Sequence, residues 1–204
     1  MSSREEILAA IRANRPKLER PLPAVPHFDA AAPSSLLAMF KESLTRMGGQ
    51  FLDPPASGDP LAPVRERVAA ARIVCSTVPE LSGNRDIGAV GSPQDLADVD
   101  LAIVRASFGV AETGSVLLSD RDLKLNAVGY LAQHLIVLLD PAHLVFNLHQ
   151  AYQRSEFRER HYACFHTGPS ATADIEGVLI HGAQGVRSLA VLPIAGKAAG
   201  GRPP

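Results

Sequence analysis

The sequence predicts an α/β protein whose open, mostly parallel sheet has helices on both faces. Short runs of Val, Ile, Leu and Ala, typical of buried strands, alternate along the chain with segments in which apolar residues recur at helical spacing. The clearest run is His134-Leu-Ile-Val-Leu-Leu139, which is apolar at consecutive positions, as in a parallel strand covered on both sides. Two closely spaced apolar runs on either side of Glu112 predict an antiparallel extension of this sheet.

Residues 1–33 are expected to lie outside the main domain. Ser3 and Glu6 have the spacing of a capping box at the start of a helix that runs to Asn14. Residues 15–33 contain five prolines and predict an extended arm, because proline lacks the N–H that regular structure requires. The narrow apolar face of the first helix suits docking on the body of the protein or on another subunit.

The main α/β domain is expected over residues 34–194 and a disordered tail over residues 195–204. Apolar spacing predicts a helix over 35–47, which ends at the glycine pair that follows, and a second helix over 60–71. A third helix is predicted from Pro141 to about residue 158, since proline is well placed in a first helical turn. The predicted strands are 72–76, 101–106, 115–118, 134–139, 161–165 and 188–192.

The composition argues against several classes of protein. The 204 residues carry a formal net charge of −1, which leaves no basic face for nucleic acid. The longest unbroken apolar run is far too short to span a bilayer, and the first residues lack the pattern of a signal peptide. Cys75 and Cys164 sit in apolar runs and are expected to be buried reduced thiols, as in a cytosolic protein. We therefore expect a soluble cytoplasmic protein.

A polar loop at residues 167–176, Thr-Gly-Pro-Ser-Ala-Thr-Ala-Asp-Ile-Glu, is a candidate binding site because it lies between two apolar runs. Its backbone N–H groups could form an anion-binding nest at the start of a short helical turn over 171–176. The alternative is an ordinary capped turn in which Ser170 or Thr172 is the N-cap. The loop's hydroxyl and carboxylate side chains belong to Thr167, Ser170, Thr172, Asp174 and Glu176.

Glu112 is the candidate for catalysis. It lies in a glycine-flanked loop beside Thr113 and Ser115, and a carboxylate between strand ends suits acid, base or nucleophile chemistry. The alternative is a turn in which Glu112 points into water. The seven histidines show no metal-binding spacing, and two cysteines cannot supply the ligands of an iron–sulfur cluster. We therefore expect no metal and no cofactor in this chain.

Taken in order, these segments resemble the LUD-domain family, which includes lactate utilization protein C. The resemblance covers roughly residues 40–193 and rests on Phe-Gly-Val-Ala-Glu-Thr-Gly-Ser at 108–115, the strand at 134–139 and the loop at 167–176. It implies a three-layer α/β/α fold similar to that of the NagB/RpiA/CoA-transferase group. The residues that match the family pattern are Ala111, Glu112, Thr113, Gly114, Thr167, Gly168, Pro169, Ser170, Ala173, Asp174, Ile175 and Glu176.

The resemblance also implies a function. Lactate utilization protein C acts with two partner proteins in the oxidation of L-lactate to pyruvate, and those partners carry the cysteine motifs for iron–sulfur clusters. This chain would be the cluster-free subunit, with iron–sulfur lactate utilization proteins as its partners. Two alternatives stay open: a stand-alone CoA-transferase-like enzyme acting on a small phosphorylated or acyl substrate, and a non-catalytic metabolite-binding module. A homo-oligomer is compatible with each of them.

The resemblance further suggests how the site is arranged. In related CoA-transferase folds a glutamate is the acyl-accepting nucleophile, and Glu112 is its analogue here. We expect Glu112 and the loop at 167–176 to line one pocket for a small anion or a phosphorylated ligand, with Arg105 and Arg121 balancing the charge. The expected ligand-binding residues are Thr113, Gly114, Gly168, Ser170 and Thr172, with Asp174 and Glu176 orienting them.

Overall fold

The computed structural model describes residues 2–16, 23–28 and 33–196, which form a five-stranded sheet, a four-stranded sheet, a small hairpin and the surrounding helices. The α-helices are α1 (Ser3–Ala13), α2 (Leu36–Arg46), α3 (Ala62–Ala70), α4 (Asp120–Leu123), α5 (Val128–Leu131), α6 (Leu148–Ala151) and α7 (Ser155–Arg158). Short 3₁₀ helices cover Ile87–Ala89, Pro93–Leu96 and Pro141–His143. The strands are β1 (Gln50–Phe51), β2 (Val74–Ser76), β3 (Leu101–Arg105), β4 (Phe108–Val110), β5 (Ser115–Ser119), β6 (His134–Leu139), β7 (Leu144–Val145), β8 (Ala163–His166), β9 (Ala171–Thr172), β10 (Ile180–His181) and β11 (Ser188–Pro193).

The five-stranded sheet is parallel throughout and has the strand order β1-β11-β6-β3-β2. Strand β6 has the predicted bounds and pairs with β11 on one side and β3 on the other. Because side chains alternate along a strand, Ile136 and Leu138 enter one core while Val137 and Leu139 enter the other. The predicted α/β fold with a mostly parallel sheet is confirmed.

Helices cover both faces of this sheet. Val64 of α3 is fully buried in the core that also contains Ile136. Phe40 and Leu44 of α2 are fully buried in the core on the opposite face, and their four-residue spacing places them on one side of the helix. Burying each of these large side chains contributes roughly 1.5–3 kcal/mol, which attaches α2 firmly to the sheet.

The four-stranded sheet, with the order β7-β4-β5-β8, packs on the α2 side of the parallel sheet. Its β4–β5 and β5–β8 pairs are antiparallel, as predicted, and its β4–β7 pair is parallel, but the four strands form a separate sheet and do not extend the parallel one. The sequence prediction missed β4 as a separate strand. Phe108 and Val110 of this strand are fully buried, and the lack of a side chain on Gly109 lets Leu144 approach closely.

The single helix predicted from Pro141 to about residue 158 is wrong. Asp140 Oδ1 accepts a hydrogen bond from the Ala142 N–H at 2.9 Å and starts only one 3₁₀ turn, after which the chain enters β7. Asn147 Oδ1 then accepts from the Gln150 N–H at 3.0 Å and caps the short helix α6. The two capping side chains divide the segment because each one starts a new helical turn.

The short helical turn predicted over residues 171–176 is also wrong. Strand β9 pairs antiparallel with β10, so these residues belong to a hairpin. Its connection places Glu176 and Gly177 at consecutive positive φ angles of 55° and 71°. Consecutive left-handed residues cannot continue a helix, but they suit a tight connection between antiparallel strands.

Helix α1 lies outside the hydrophobic cores, since none of its residues is buried. Its capping box uses Ser2 and Glu5, one residue earlier than predicted. Part of the proline-rich arm contacts the domain, because Asn147 Nδ2 donates a hydrogen bond to the His27 carbonyl at 2.7 Å. The predicted disordered tail lies outside the described residues from position 197 onward. Across the three described ranges, no helix is both long and apolar enough to cross a bilayer.

Candidate functional site

A cavity of about 450 Å³ opens where the C-terminal end of α2, the β4–β5 connection, the end of β8 and the start of α6 meet. Glu112 and Thr113 come from the β4–β5 connection, Ser115 begins β5, and Thr167 directly follows β8. The structure therefore brings the first predicted motif and the start of the second to one place. The remaining lining residues are Ser43, Arg46, Met47, Leu148, Tyr152 and Phe165.

Gly114 and Gly168 hold the two motifs against the end of α2. Both adopt left-handed backbone, with φ angles of 67° and 68°. A Cβ on Gly114 would lie 2.2 Å from the Leu44 backbone nitrogen, and one on Gly168 would lie 2.2 Å from the Met47 carbonyl oxygen. Only glycine fits at either position, so these two residues shape the cavity.

Three hydroxyl groups form a chain across the cavity floor. Thr113 Oγ1 lies 2.7 Å from Ser115 Oγ, which in turn lies 2.6 Å from Thr167 Oγ1. Ser115 is only 3% exposed, so its hydroxyl depends on these two neighbours in place of water. A ligand that entered the cavity would find two half-buried hydroxyls, on Thr113 and Thr167, that can donate or accept.

The Glu112 carboxylate faces the cavity and is positioned by the chain around α6. The Glu112 N–H donates to the Phe146 carbonyl at 2.9 Å, which fixes its backbone. Its Oε2 accepts a hydrogen bond from the Leu148 N–H at 3.3 Å. The residue is otherwise exposed. This arrangement leaves a carboxylate that is held on one oxygen and accessible to a bound molecule.

Part of the cavity lining is apolar, and Arg46 adds a positive charge to it. Tyr152 and Phe165 belong to an aromatic cluster with Phe157, and the rings of Phe157 and Phe165 stack at a centroid distance of 5.6 Å. Arg46, in the last turn of α2, pairs with Glu42 at 2.9 Å, and both side chains are mostly exposed. Arg46 thus brings a solvent-exposed guanidinium to the cavity lining, where its Nη2 already pairs with Glu42.

The second half of the predicted 167–176 motif does not line this cavity. Ser170 Oγ donates to the Ala183 carbonyl at 2.7 Å, and Thr172 Oγ1 accepts from the Asp174 N–H at 3.3 Å, so both hydroxyls serve the hairpin. Asp174 and Glu176 are exposed in the connection between its strands. The same connection exposes three apolar side chains, those of Ile175, Val178 and Leu179.

Arg105 and Arg121, expected to balance a ligand's charge, also lie elsewhere. Arg105 ends β3 and pairs with Glu80 at 2.8 Å, with 25% and 17% of the two side chains exposed. Arg121 is exposed on α4. The cation that the structure places at the cavity is Arg46.

His166 lies beside the site but faces the other side of β8. Its ring packs on Gly129 and on the Tyr130 ring, at a centroid distance of 5.2 Å from the latter. Burial lowers the pKa of His166 to about 4, so the ring is neutral at pH 7. Its buried Nε2 has no hydrogen-bond partner among the described residues. We therefore assign His166 to packing beneath the site.

Within the described part of the chain, no three His, Cys, Asp or Glu side chains gather in a group that could hold a metal ion. Cys75 is buried in β2 and Cys164 is half-buried in β8, so the two thiols belong to different sheets. Burial raises the pKa of the Cys75 thiol, which keeps it protonated and unreactive.

Sequence reasoning missed the contribution of α2. Ser43 is 3% exposed although it is polar, and it stands directly before the buried Leu44 on the packed side of the helix. A serine inside an apolar helical face is the one signal that could have pointed to this element. Arg46 and Tyr152 gave no signal of their own, since single exposed residues of these types are common on protein surfaces.

The fold and the site define an α/β protein whose ligand-sized cavity lies between two glycine-bearing loops and the end of a helix. Residues 92–193 match the family model of the LUD domain. The match spans half of the 204 residues and includes both predicted motifs, so the chain belongs to the LUD domain family, as the motifs predicted.

Two further similarities accompany the family match. An uncharacterized protein of Neisseria meningitidis serogroup B is 25% identical over 138 residues, which cover 66% of this chain and 59% of that protein's length. The crystal structure of a DUF162 family protein from Deinococcus radiodurans matches with a TM-score of 0.56 at 16% identity, over 82% of this chain and 98% of the other. The structural match supports the fold assignment.

Proposed function

We propose that this chain is the cluster-free subunit of an L-lactate-oxidising complex and that the Glu112 cavity holds a small organic anion. The observation that supports this most directly is the convergence of the two family motifs. Ser115 and Thr167 are separated by 52 positions in sequence, yet their hydroxyls meet within one cavity. Residues from both family motifs thus contribute to the lining of this cavity.

The chemistry of the cavity suits a 2-hydroxy acid. Such a molecule carries a carboxylate, a hydroxyl group and, in lactate, one methyl group. The Arg46 guanidinium, which keeps its exposed pair with Glu42, would bind the carboxylate, and the hydroxyls of Thr113 and Thr167 would bind the ligand's hydroxyl group. The apolar side chains that line the cavity, from Leu148, Tyr152 and Phe165, would accommodate the methyl group.

Electron transfer is assigned to partner proteins. Oxidation of lactate to pyruvate releases two electrons, and an iron–sulfur cluster that could accept them needs about four protein ligands. This sequence contains two cysteines, and they lie in different sheets. We therefore propose that iron–sulfur lactate utilization proteins receive the electrons, while this chain binds and orients the anion.

Reconstitution tests this proposal. The iron–sulfur lactate utilization proteins of the same organism would be purified with and without this chain, and L-lactate-dependent reduction of an artificial electron acceptor would be measured. We expect activity only when this chain is present, and a lower rate with the cavity variant Thr113→Val. Full activity without this chain would contradict the proposal.

A second candidate function is acyl transfer. The observation that favours it is the exposure of the Glu112 carboxylate. Its carboxylate is exposed to the cavity and held through Oε2, which leaves Oε1 available as a nucleophile. Incubation with acetyl-CoA, trapping with hydroxylamine and mass spectrometry would detect a glutamyl adduct at Glu112. Such an adduct would favour acyl transfer over the subunit role. Ligand binding with neither activity would favour the metabolite-binding module.

A further inference from the structure

The structure contains a second and larger cavity, of about 690 Å³, which is distinct from the Glu112 cavity. It opens at the amino ends of β3, β6 and β11, on the face of the parallel sheet that α3 covers. It shares no lining residue with the Glu112 cavity. The proposed function does not involve this cavity, so a ligand site here does not depend on that proposal.

The lining of this amino-end cavity is strongly positive. It contains three arginines, Arg67, Arg72 and Arg187, against one carboxylate, that of Asp100. Asp100 Oδ2 already accepts hydrogen bonds from the backbone N–H groups of Arg72 and Ile73, at 3.1 and 2.9 Å. The Asp100 carboxylate therefore already accepts hydrogen bonds from the backbone. With three arginines and one aspartate, the cavity lining has an excess of two positive charges.

The arginines are only weakly engaged by protein groups. Arg72 Nε lies 3.8 Å from Asp100 Oδ2, and Arg67 Nη2 donates to the neutral amide oxygen of Gln50 at 3.0 Å. Arg187 has no ion-pair partner among the described residues. Because the cavity lining has three guanidinium groups and one carboxylate, a bound anion would be attracted to it.

Two further polar groups, on Ser188 and His134, line the same cavity. Ser188 and His134 occupy the same register position in the adjacent strands β11 and β6. The Ser188 hydroxyl lies 2.8 Å from His134 Nδ1, which orients the exposed imidazole. The remaining ring nitrogen, Nε2, can then donate to or accept from a ligand.

The rest of the cavity offers an apolar surface. Leu101 and Ile136 are buried side chains that contribute to its floor, and Ala70 and Ala71 line the α3 side. A cavity of this volume is larger than an inorganic anion requires and lies in the range of small-molecule sites. An organic group attached to the anion would pack on this surface.

From these observations we propose that the amino-end cavity binds a small phosphomonoester. The arginines would surround the phosphate, His134 and Ser188 would complete its hydrogen bonds, and the organic group would contact Ala70 and Ala71. A phosphomonoester is favoured over a carboxylate because its two negative charges match the excess of two positive charges. Its three oxygens also offer paired acceptors to more than one guanidinium.

Calorimetric titration of the full chain with phenyl phosphate tests this proposal, with inorganic phosphate and benzoate as comparison ligands. We expect one saturable site for phenyl phosphate, weaker binding of inorganic phosphate, and benzoate binding at least about tenfold weaker, since it carries one charge. Arg187→Gln and Arg67→Gln should each weaken phenyl phosphate binding about tenfold or more.

Arg65→Gln is the matched control. Arg65 lies on the same helix as Arg67 but pairs with Asp59 at 2.6 Å and does not line the cavity, so binding should be unchanged. Melting temperatures would verify that each variant folds. The proposal is overturned if phenyl phosphate shows no saturable binding, if benzoate binds as tightly, or if Arg65→Gln weakens binding as much as the cavity variants.

Discussion

The hydroxyl groups of Ser115 and Thr167 lie 2.6 Å apart and join two loops that are distant in sequence. Ser115 begins β5, and Thr167 follows β8, the neighbouring antiparallel strand. With Thr113 they form a continuous chain of hydroxyls at the floor of the Glu112 cavity. The contact is both a structural link between the family motifs and part of the surface offered to a ligand.

Thr167→Val and Ser115→Ala should each lower the free energy of unfolding by about 1 kcal/mol, because each removes a hydrogen bond of the buried Ser115 hydroxyl. The double variant should cost less than the sum, since the two groups bond to each other. Urea unfolding measures these values. Thr45→Val, which removes an exposed hydroxyl bonded to the Lys41 carbonyl, should change stability by less than about 0.5 kcal/mol. If the losses of unfolding free energy in the two single variants simply add in the double variant, the Ser115–Thr167 hydrogen bond is contradicted.

Gly114→Ala and Gly168→Ala should each destabilise the protein by about 3 kcal/mol or more, because the added Cβ combines left-handed strain with overlap on the backbone of α2. Gly177→Ala is the matched control. Its φ is 71°, but nothing lies within 4 Å of the added Cβ, so only the strain of about 1–2 kcal/mol applies. Thermal unfolding compares the three variants. Equal effects would show that the motifs do not pack against α2.

Stability should fall between pH 6.5 and pH 4 because of His166. Burial lowers the pKa of His166 in the folded protein to about 4, whereas the imidazole of the unfolded chain has its ordinary pKa of 6.5. Full stability is therefore present above pH 6.5 and is lost as the pH falls, at a rate approaching about 1.4 kcal/mol per pH unit. Denaturant unfolding at several pH values measures the slope. In His166→Gln, the unfolding free energy should depend less on pH between pH 6.5 and pH 4. An unchanged slope would contradict the assignment of this pH dependence to His166.

Arg105 and Arg46 should have separable roles. Arg105→Gln breaks the mostly buried pair with Glu80 and should lower stability by about 2 kcal/mol without changing ligand binding. Arg46→Gln breaks only an exposed pair and should leave stability within about 0.5 kcal/mol, while it weakens binding of an anion in the Glu112 cavity. Parallel unfolding and titration experiments test both. If Arg105→Gln weakens ligand binding, Arg105 contributes to the ligand site and the assignment of a purely structural role is wrong.

The central sheet was predictable from sequence because its signal is local. Strand β6 is apolar at consecutive positions and has the predicted bounds. The segment after Pro141 was mispredicted as one helix because proline suits a first helical turn, whereas Asp140 and Asn147 each cap a separate short turn. Strand β4 was missed because three residues around Gly109 carry no periodic pattern that is long enough to recognise.

The site was predictable only in part. Glu112 and Thr113 could be found because they cluster in one loop with matching family residues. Asp174 was expected at the same pocket because it belongs to the same motif as Thr167, yet the hairpin directs it into solvent. Arg46 could not be predicted as a lining residue, because its position depends on how α2 packs against the sheets. Such tertiary packing cannot be deduced from the spacing of residues in the sequence.

Calorimetric titration of L-lactate into the full chain tests the central claim, that the two motifs form one pocket for a small 2-hydroxy acid. We predict saturable binding that Thr113→Val and Arg46→Gln weaken about tenfold each, that is, by about 1.4 kcal/mol. Arg65→Gln, outside the cavity, should bind as the unsubstituted chain does. Absence of saturable binding, or equal affinity in all of these variants, would contradict the account.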